Sequence, residues 1–239
     1  MLKDLPDWWP HDKPYAIMDC LEGMRELPDN SIDMILTDPP FNVSIDYGKN
    51  TNDEMTDEEY KEWFTQRLVD MERVMKDGHP MIIFTGDKKI KSILDAVDKT
   101  NLIFHHFIKW NKQNGQRGLS GFVLFYRTEL ALLLTKGKPI QNLLNRTILY
   151  SDTITHLNTK PNDKDAVDHP CRRPLSLYEN LINGFNVKYI LDPFLGSGTT
   201  LRACRETGRI GLGFEIEKDY EPIIKKRMME EIPKLERWF

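Results

Sequence analysis

Short apolar runs and amphipathic segments alternate along most of this chain. A run of about four to eight apolar residues is typical of a buried strand, whereas apolar positions spaced three to four apart are typical of a helix. The runs predict strands at residues 15–20, 32–37, 80–85, 103–110, 122–135, 187–191 and 210–214. The spaced segments predict helices at residues 56–75, 88–97, 175–184, 199–207 and 218–231. Strands that alternate with helices favour an α/β fold, in which a mostly parallel, twisted sheet carries helices on both faces.

The helix at 56–75 begins with a capping-box pattern, in which Thr56 and Glu59 satisfy backbone N–H groups of the first turn. Its apolar positions share one face, which is typical of a helix packed on a sheet: Tyr60, Trp63, Phe64, Leu68 and Met71. Neither an internal repeat nor a low-complexity linker interrupts the pattern along the chain. We therefore expect a single domain over residues 1–239.

The composition limits the classes of protein to which the chain can belong. Hydrophobic residues make up 40% and charged residues 29% of the 239 residues, as in ordinary globular proteins. No apolar run approaches the roughly 20 residues needed to span a bilayer, and residues 1–7 lack the apolar core of a signal peptide. We therefore expect a cytoplasmic protein without a membrane partner. Cys20, Cys171 and Cys204 show no metal-ligand spacing, so we expect buried thiols and no metal site.

Positive charge is concentrated in one part of the chain. Residues 105–146 contain seven Lys or Arg residues and a single acid, Glu129, although the whole chain has a net charge of −4. Such segregation can steer a nucleic-acid backbone to one face of a protein. The same pattern also fits a solvated basic surface that has no partner.

Two segments far apart in sequence carry the candidate chemistry. The first is Asp38-Pro39-Pro40-Phe41, which follows the predicted strand at 32–37. The two prolines fix the backbone and remove N–H donors, and the aromatic ring offers a face on which a flat base can stack. Taken alone, the Pro-Pro pair also fits a plain β-turn.

The second segment, residues 192–200 (DPFLGSGTT), lies between a predicted strand and a predicted helix. A glycine turn in this position lets the backbone approach a ligand at the carboxyl edge of a parallel sheet. A phosphate-binding P-loop is excluded because no Lys follows the second glycine, and Leu201 replaces the third glycine of the dinucleotide fingerprint. Glu215 ends the next strand, where a carboxylate commonly accepts hydrogen bonds from ribose hydroxyls. A solvated acid at the end of a strand is the alternative.

These two segments resemble the catalytic tetrapeptide, Asp/Asn/Ser-Pro-Pro-Tyr/Phe/Trp, and the S-adenosylmethionine motif of the DNA amino-methyltransferases. Residues 169–174 (HPCRRP) resemble the His-Pro-x-x-Lys-Pro segment of that family, with Arg173 in place of the usual Lys. The tetrapeptide precedes the cofactor motif, which is the order of the family's β group. The resemblance covers about residues 15–227 and implies a Rossmann-like methyltransferase fold in circularly permuted order. The strands at 187–191 and 210–214 are then expected beside those at 15–20 and 32–37.

The resemblance also implies the residues of both half-sites. The expected catalytic residues are Asp38, Pro39, Pro40 and Phe41. The cofactor S-adenosylmethionine, which leaves as S-adenosylhomocysteine, is expected to contact Asp19, His169, Pro170, Arg173, Asp192, Phe194, Gly196, Ser197, Gly198, Thr199, Thr200 and Glu215. Asp19 matches the family acid that contacts the adenine amine of the cofactor, although an Asp at the end of a strand can also be purely structural.

The chemistry of the reaction accounts for the tetrapeptide. An exocyclic base amine is a poor nucleophile because its lone pair is delocalised into the ring. Asp38 and the carbonyl of Pro39 can each accept one amine hydrogen and so favour the charge that develops on nitrogen. The target atom is unreachable inside a duplex, so base flipping is expected.

An acid at the first position of the tetrapeptide is typical of adenine-N6 enzymes, so a DNA adenine-N6 methyltransferase is the main hypothesis. A cytosine-N4 enzyme, an RNA base methyltransferase and a catalytically silent nucleic-acid-binding protein remain open. The intact Asp38, Pro39 and Phe41 count against the silent protein.

Double-stranded DNA is the expected partner. Residues 109–118 combine cations, amides and glycines without an acid, which predicts a loop that touches phosphates. The expected nucleic-acid contacts are Lys109, Lys112, Asn114, Arg117, Lys136 and Lys138. A short target-recognition region is expected at about 111–168, and residues 42–55, rich in Asn and Asp, are expected to form a lid beside the flipped base. A homodimer and a cognate restriction endonuclease are further partners that small relatives of this type allow.

Overall fold

The computed structural model describes residues 13–116, 126–156 and 173–229 of the chain. Its strands and helices follow one another in this order: β1 (Tyr15–Ile17), α1 (Cys20–Arg25), β2 (Met34–Thr37), α2 (Asp57–Val74), β3 (Pro80–Thr85), α3 (Ile90–Val97), β4 (Leu102–Gln116), β5 (Tyr126–Lys136), β6 (Thr153–His156), α4 (Leu175–Asn183), β7 (Tyr189–Asp192), α5 (Thr199–Glu206), β8 (Ile210–Glu215) and α6 (Glu221–Met229). Short 3₁₀ turns, Asp87–Lys89 and Lys218–Tyr220, precede α3 and α6. The expected α/β architecture is confirmed.

The strands form one sheet in the order β1-β8-β7-β2-β3-β5-β4-β6. The first five strands in this order run parallel, β5 is antiparallel to both β3 and β4, and β6 is parallel to β4. The pairing of β8 with β1 and of β7 with β2 confirms the neighbours expected from a circularly permuted order. Parallel strands end at a common edge, so the residues that follow β1, β2, β7 and β8 meet there.

Side chains of the central strands alternate between two buried layers. Ile35 and Ile83 pack with helices α1, α2 and α3 on one face. Met34, Leu36 and Ile82 pack with α4 and α5 on the other face. These five side chains are inaccessible to solvent, and burial of each contributes roughly 1.5–3 kcal/mol. Burial on both faces explains why the parallel strands read as continuous apolar runs.

The capping box at the start of α2 is present as predicted. The backbone N–H of Glu59 donates to Thr56 Oγ1 at 3.3 Å, and the backbone N–H of Thr56 donates to Glu59 Oε2 at 2.9 Å. Helix α2 thus begins at Asp57, at the place that its sequence pattern indicated.

Two expectations about local structure are wrong. The strand predicted at 15–20 ends at Ile17, because the Asp19 carboxylate accepts a hydrogen bond from the backbone N–H of Leu21 at 2.7 Å and caps α1. The loop predicted at 109–118 is a strand as far as Gln116, because its backbone pairs with β5 and, over Lys109–Lys112, also with β6. Strand β6 lies in a region whose polar sequence gave no clear periodicity.

Among residues 13–116, 126–156 and 173–229, no helix combines the length and the apolar character needed to cross a bilayer.

Candidate active site

A pocket opens at the carboxyl edge of the parallel strands and encloses about 1020 Å³, part of which is open to solvent. Both predicted half-sites line it. Residues 38–41 form one wall, and residues 192–197 with Thr199 and Thr200 form another. Two segments more than 150 positions apart in sequence therefore meet in one cavity, as the sequence pattern predicted.

A direct hydrogen bond joins the two half-sites below the pocket. The hydroxyl of Thr37, the last residue of β2, donates to Asp192 Oδ1 at 2.7 Å. The same carboxylate accepts hydrogen bonds from the backbone N–H of Phe194 at 3.1 Å and from the Thr200 hydroxyl. Burial raises the pKa of Asp192 to about 6, and the three donors oppose that rise. Asp192 thus fixes the end of β2, the glycine turn and the start of α5 relative to one another.

The glycine turn is held from the opposite side by Glu215. The backbone N–H of Gly196 donates to Glu215 Oε2 at 2.7 Å, and that of Glu217 donates to Oε1 at 2.8 Å. Gly196 and Gly198 have φ angles of +52° and +81°, which residues with a Cβ atom rarely adopt. Burial raises the pKa of Glu215 to about 7. Its carboxylate therefore shapes the turn and also reaches the pocket, which it lines.

The hydroxyls of Ser197 and Thr199 contact α6. Arg227, buried on that helix, donates from Nη1 to Ser197 Oγ at 2.7 Å and to Thr199 Oγ1 at 2.8 Å. The two hydroxyls thus anchor the glycine turn to the last described helix.

Asp19 and Phe194 form the far end of the pocket with two residues of α2 that the sequence analysis did not single out. Arg67 Nη2 donates to Asp19 Oδ2 at 3.1 Å. The guanidinium of Arg67 lies 4.1 Å from the centre of the Trp63 ring, and that ring lies 5.5 Å from the ring of Phe194. Two aromatic faces beside a carboxylate suit a purine that carries an exocyclic amine. The sequence had predicted only core packing for Trp63, because it lies among the apolar positions on one face of α2.

Residues 42–55 cover this end of the pocket. Asp53 is buried and accepts hydrogen bonds from the backbone N–H groups of Asn42 and Ile45 at 2.6 and 2.9 Å, which gives the segment a fixed shape. Glu217 then accepts hydrogen bonds from the backbone N–H of Asn50 at 2.6 Å and from the Thr51 hydroxyl at 3.0 Å. Four residues of the segment line the pocket: Tyr47, Asn50, Thr51 and Asn52. The segment that was expected to form a lid beside the base thus borders the pocket that Glu215, Phe194 and residues 38–41 also line.

Pro40 and Phe41, the last two residues of the predicted tetrapeptide, are fixed by contacts with α2 and with the residue that follows β3. The Tyr60 hydroxyl donates to the carbonyl of Pro40 at 2.9 Å. The Phe41 ring packs on Gly86, where an added Cβ would come within 3.3 Å of the ring. Asp38, the first residue of the tetrapeptide, lines the pocket.

Arg173 contacts Asp38 rather than the glycine turn. Its Nε donates to Asp38 Oδ2 at 2.6 Å and its Nη2 donates to Asp38 Oδ1 at 3.0 Å, which is a bidentate ion pair. Burial raises the pKa of the Asp38 carboxyl, and the guanidinium opposes that rise. Arg173 lines the same pocket, but the described hydrogen bonds join it to Asp38 and Glu129, whereas the resemblance implied a contact with the cofactor.

The basic residues expected to contact DNA have different surroundings. Lys112 is buried and paired with Glu129, so the prediction of a phosphate contact does not fit its position. Lys136 is mostly covered, because its ammonium group donates to the carbonyl of Met75 at 2.9 Å. Lys109 is about half exposed and pairs with Asp152 at 2.7 Å, and Lys138 is exposed.

Some predicted site residues lie outside the described residues: Arg117, His169 and Pro170. Asn114 belongs to β4. Across residues 13–116, 126–156 and 173–229, no cluster of His, Cys, Asp and Glu has an arrangement that could hold a metal ion.

Comparison with known proteins adds an independent line of evidence. The family model for N6/N4 methyltransferases, described as DNA methylase, matches residues 32–226. The chain is 29% identical over 239 aligned residues to the Type II methyltransferase M.HpaI of Haemophilus parainfluenzae, an alignment that covers 92% of this chain and 75% of that protein.

Two solved structures share the fold. The cytosine-N4-specific PvuII DNA methyltransferase superposes with a TM-score of 0.77 over 91% of this chain and 86% of its own, at 18% identity. The complex of M1.HpyAVI with S-adenosylmethionine superposes with a TM-score of 0.68 over 90% of this chain and 98% of its own, at 25% identity.

Proposed function

This chain belongs to the N6/N4 family of DNA methylases, and we propose that it transfers a methyl group from S-adenosylmethionine to the exocyclic N6 amine of adenine in DNA. The observation that carries the proposal is the pocket shared by Asp38 and the glycine turn. An acid at the first position of the tetrapeptide supports adenine as the acceptor. The intact tetrapeptide argues against a protein that only binds nucleic acid.

The pocket suits the cofactor from end to end. Trp63 and Phe194 offer aromatic faces to an adenine ring, and Asp19 offers an acceptor for its amine. Glu215 supplies a carboxylate for the ribose hydroxyls, and the turn at Gly196 allows close approach of the backbone. When bound, S-adenosylmethionine supplies a methyl group made electrophilic by the sulfonium.

The residues of the chain prepare the acceptor. We expect the flipped base to stack on Phe41, which is worth roughly 1–3 kcal/mol. Asp38 and the carbonyl of Pro39 accept the two amine hydrogens and stabilise the positive charge that develops on nitrogen. The amine then loses a proton, for which the Asp38 carboxylate is the nearest base on the wall formed by residues 38–41.

The identity of the product tests the acceptor. The protein is incubated with S-adenosylmethionine labelled in the methyl group and with separate pools of unmethylated genomic DNA and of RNA, and each pool is digested to nucleosides. We expect label in N6-methyl-2′-deoxyadenosine from the DNA pool. Label in N4-methyl-2′-deoxycytidine would refute the choice of adenine, and label in RNA alone would refute DNA as the substrate.

The variant Asp38→Ala tests the catalytic assignment. Loss of an acceptor that acts on the transition state is expected to lower the rate by roughly 100-fold or more. Cofactor binding, measured by calorimetric titration, is expected to remain, because Asp38 lies outside the cofactor half-site. Near-normal turnover in a folded variant would contradict the role given to Asp38.

The designation of relatives such as M.HpaI as Type II methyltransferases supports a role in a restriction–modification system. A cognate endonuclease would then recognise the same DNA site.

A further inference from the structure

Four side chains of alternating charge form a buried chain that begins at the catalytic tetrapeptide. Asp38 is paired with Arg173, Arg173 with Glu129, and Glu129 with Lys112. Arg173 donates from Nε and Nη2 to Asp38, and from Nη1 to Glu129 Oε2. Lys112 donates to the other oxygen of Glu129. Only 6–8% of Lys112, Glu129 and Arg173 is exposed to solvent.

The direction of the strands explains why Glu129 and Lys112 reach this place. Strand β5 is antiparallel to β3, so its first half lies at the carboxyl edge of the sheet, where Leu130 pairs with Thr85. Strand β4 runs parallel to β3, so its second half, which includes Lys112, reaches the same edge. Glu129 and Lys112 therefore stand beside the pocket although they belong to the two long strands rather than to either sequence motif.

Burying four charges is costly, and apolar side chains would fill the same volume at a lower cost in free energy. Aromatic rings surround the guanidinium of Arg173. The ring centres of Phe41, Phe84 and Trp110 lie 5.7, 5.3 and 5.5 Å from its central carbon. Burial disfavours the charge on Arg173, but Asp38 and Glu129 outweigh it and hold the pKa of Arg173 above its ordinary value. Arg173 thus remains a cation whose position depends on both carboxylates.

We propose that Glu129 and Lys112 are positioning residues for methyl transfer, which hold Arg173 in the orientation that clamps the Asp38 carboxylate. An ionised carboxylate offers about four acceptor positions. Arg173 occupies one on each oxygen, and the remaining positions are left for the amine of the target base. The inference rests on the proposed function, because it concerns the carboxylate that accepts that amine.

Several titratable or charged groups face Asp38, and each bears on a pH profile: Arg173 before α4, Glu129 on β5, Lys112 on β4, Tyr178 on α4, Tyr60 on α2 and Asp192 at the end of β7. The charge of Glu129 raises the pKa of Asp38, although burial is the larger cause of the rise, and the charge of Lys112 lowers it. Neutralising Glu129 and neutralising Lys112 therefore act on Asp38 in opposite directions.

The test measures the single-turnover rate of methyl transfer against pH, with labelled S-adenosylmethionine at saturation, excess protein and a pool of unmethylated genomic DNA. We expect Glu129→Gln to lower the rate roughly ten- to a hundredfold, since a small misplacement of a catalytic group has effects of this size. We also expect it to move the acid limb of the profile to lower pH. Lys112→Met is expected to move the acid limb to higher pH.

The double variant Glu129→Gln/Lys112→Met removes one charge of each sign. Its acid limb is expected to return toward that of the wild type, while its rate stays low because Arg173 has lost its second anchor. If Glu129→Gln does not fold, a wild-type rate in the double variant, or an acid limb of Lys112→Met that does not move to higher pH, would overturn the positioning role. Cofactor affinity is expected to remain at the wild-type value in every variant that folds.

The exposed pair Lys91–Asp95 on α3 supplies matched controls, since Lys91→Met and Asp95→Asn make the same changes in net charge on the surface. Both are expected to leave rate and profile unchanged. Shifts in the same direction for Glu129→Gln and Lys112→Met, or wild-type rates and profiles in both, would overturn the positioning role. A wild-type protein that labels no base refutes the proposed function instead, so the two failures are distinct.

Discussion

Glu217 fastens residues 42–55 over the cofactor half of the pocket, and the variant Glu217→Ala releases them. The Glu217 carboxylate is buried and accepts three hydrogen bonds from this segment: from the backbone N–H of Asn50 at 2.6 Å, from Asn50 Nδ2 at 3.1 Å and from the Thr51 hydroxyl at 3.0 Å. Gly48, with a φ of +136°, lies so close that an added Cβ would come within 2.5 Å of the Glu217 side chain.

The size of the effect follows from these contacts. Each hydrogen bond contributes about 1 kcal/mol net, so that three contribute about 3 kcal/mol. The freed segment regains conformational entropy, and its donors can bond to water, which offsets part of this loss. Residues 42–55 keep one further contact in the variant, the hydrogen bond from the Tyr220 hydroxyl to the Tyr47 carbonyl at 2.8 Å. A remaining loss of about 1.4–2.8 kcal/mol corresponds to a ten- to hundredfold weaker affinity for S-adenosylmethionine.

Isothermal titration of the wild type and of Glu217→Ala with S-adenosylmethionine and S-adenosylhomocysteine measures this affinity. Glu54→Ala is the matched control, because Glu54 is an exposed acid on the same segment. Circular dichroism establishes that both variants fold. If Glu217→Ala binds both ligands as tightly as the wild type, the segment does not contribute to cofactor binding and the reasoning is refuted.

Four further predictions concern the cofactor half-site. Burial raises the pKa of Glu215 from 4.5 to about 7, so cofactor affinity is expected to fall as the pH drops through about 7, and titrations of Glu215→Gln should lose this dependence. Because the pKa of Glu215 is higher in the folded state than in the unfolded state, its contribution lowers the free energy of unfolding as the pH rises from 4.5 to about 7. Urea unfolding of Glu215→Gln should lack this contribution. Arg67→Met removes the charged partner of Asp19 and is expected to weaken cofactor binding by roughly tenfold, and unchanged affinity would contradict a role for Asp19. Gly198→Ala places a Cβ at a φ of +81° and is expected to lower the free energy of unfolding by about 1–2 kcal/mol, which urea titration can check.

The sequence predicted the elements that depend on interactions between residues close together in the chain. The apolar runs located β3 at its observed bounds, and the pair Thr56 and Glu59 located the start of α2. The order of the two motifs indicated which strands would be neighbours, and the β7–β2 and β8–β1 pairs follow that order. The meeting of Asp38 with the glycine turn was predictable for the same reason, since parallel strands end at one edge.

The contacts of Arg173 could not be derived in this way. Arg173 can pair with Glu129 because the direction of β5 brings Glu129 to the edge of the sheet where Asp38 lies. The direction of a strand is decided by the whole sheet and not by the local sequence. One signal was available: Glu129 is the single acid within the apolar run at 122–135. An acid at a buried position of a strand requires a cationic partner. The helix α1 was missed because six residues show too little periodicity, and Asp19 had been interpreted as a cofactor contact or as a structural acid at the end of a strand rather than as a helix cap.

The hydrogen bond between Thr37 and Asp192 joins the two half-sites across the sheet, between the neighbouring strands β2 and β7, although the two strands are far apart in sequence. A break in the backbone between β6 and α4 would part the residues of the two motifs into separate polypeptides without removing any of them. Such halves should recover methyl transfer only when the β7–β8 pair of one half inserts between β1 and β2 of the other. The sheet therefore depends on which strands are neighbours, and another order of the same segments along the chain would preserve the pocket as long as β2 stays beside β7.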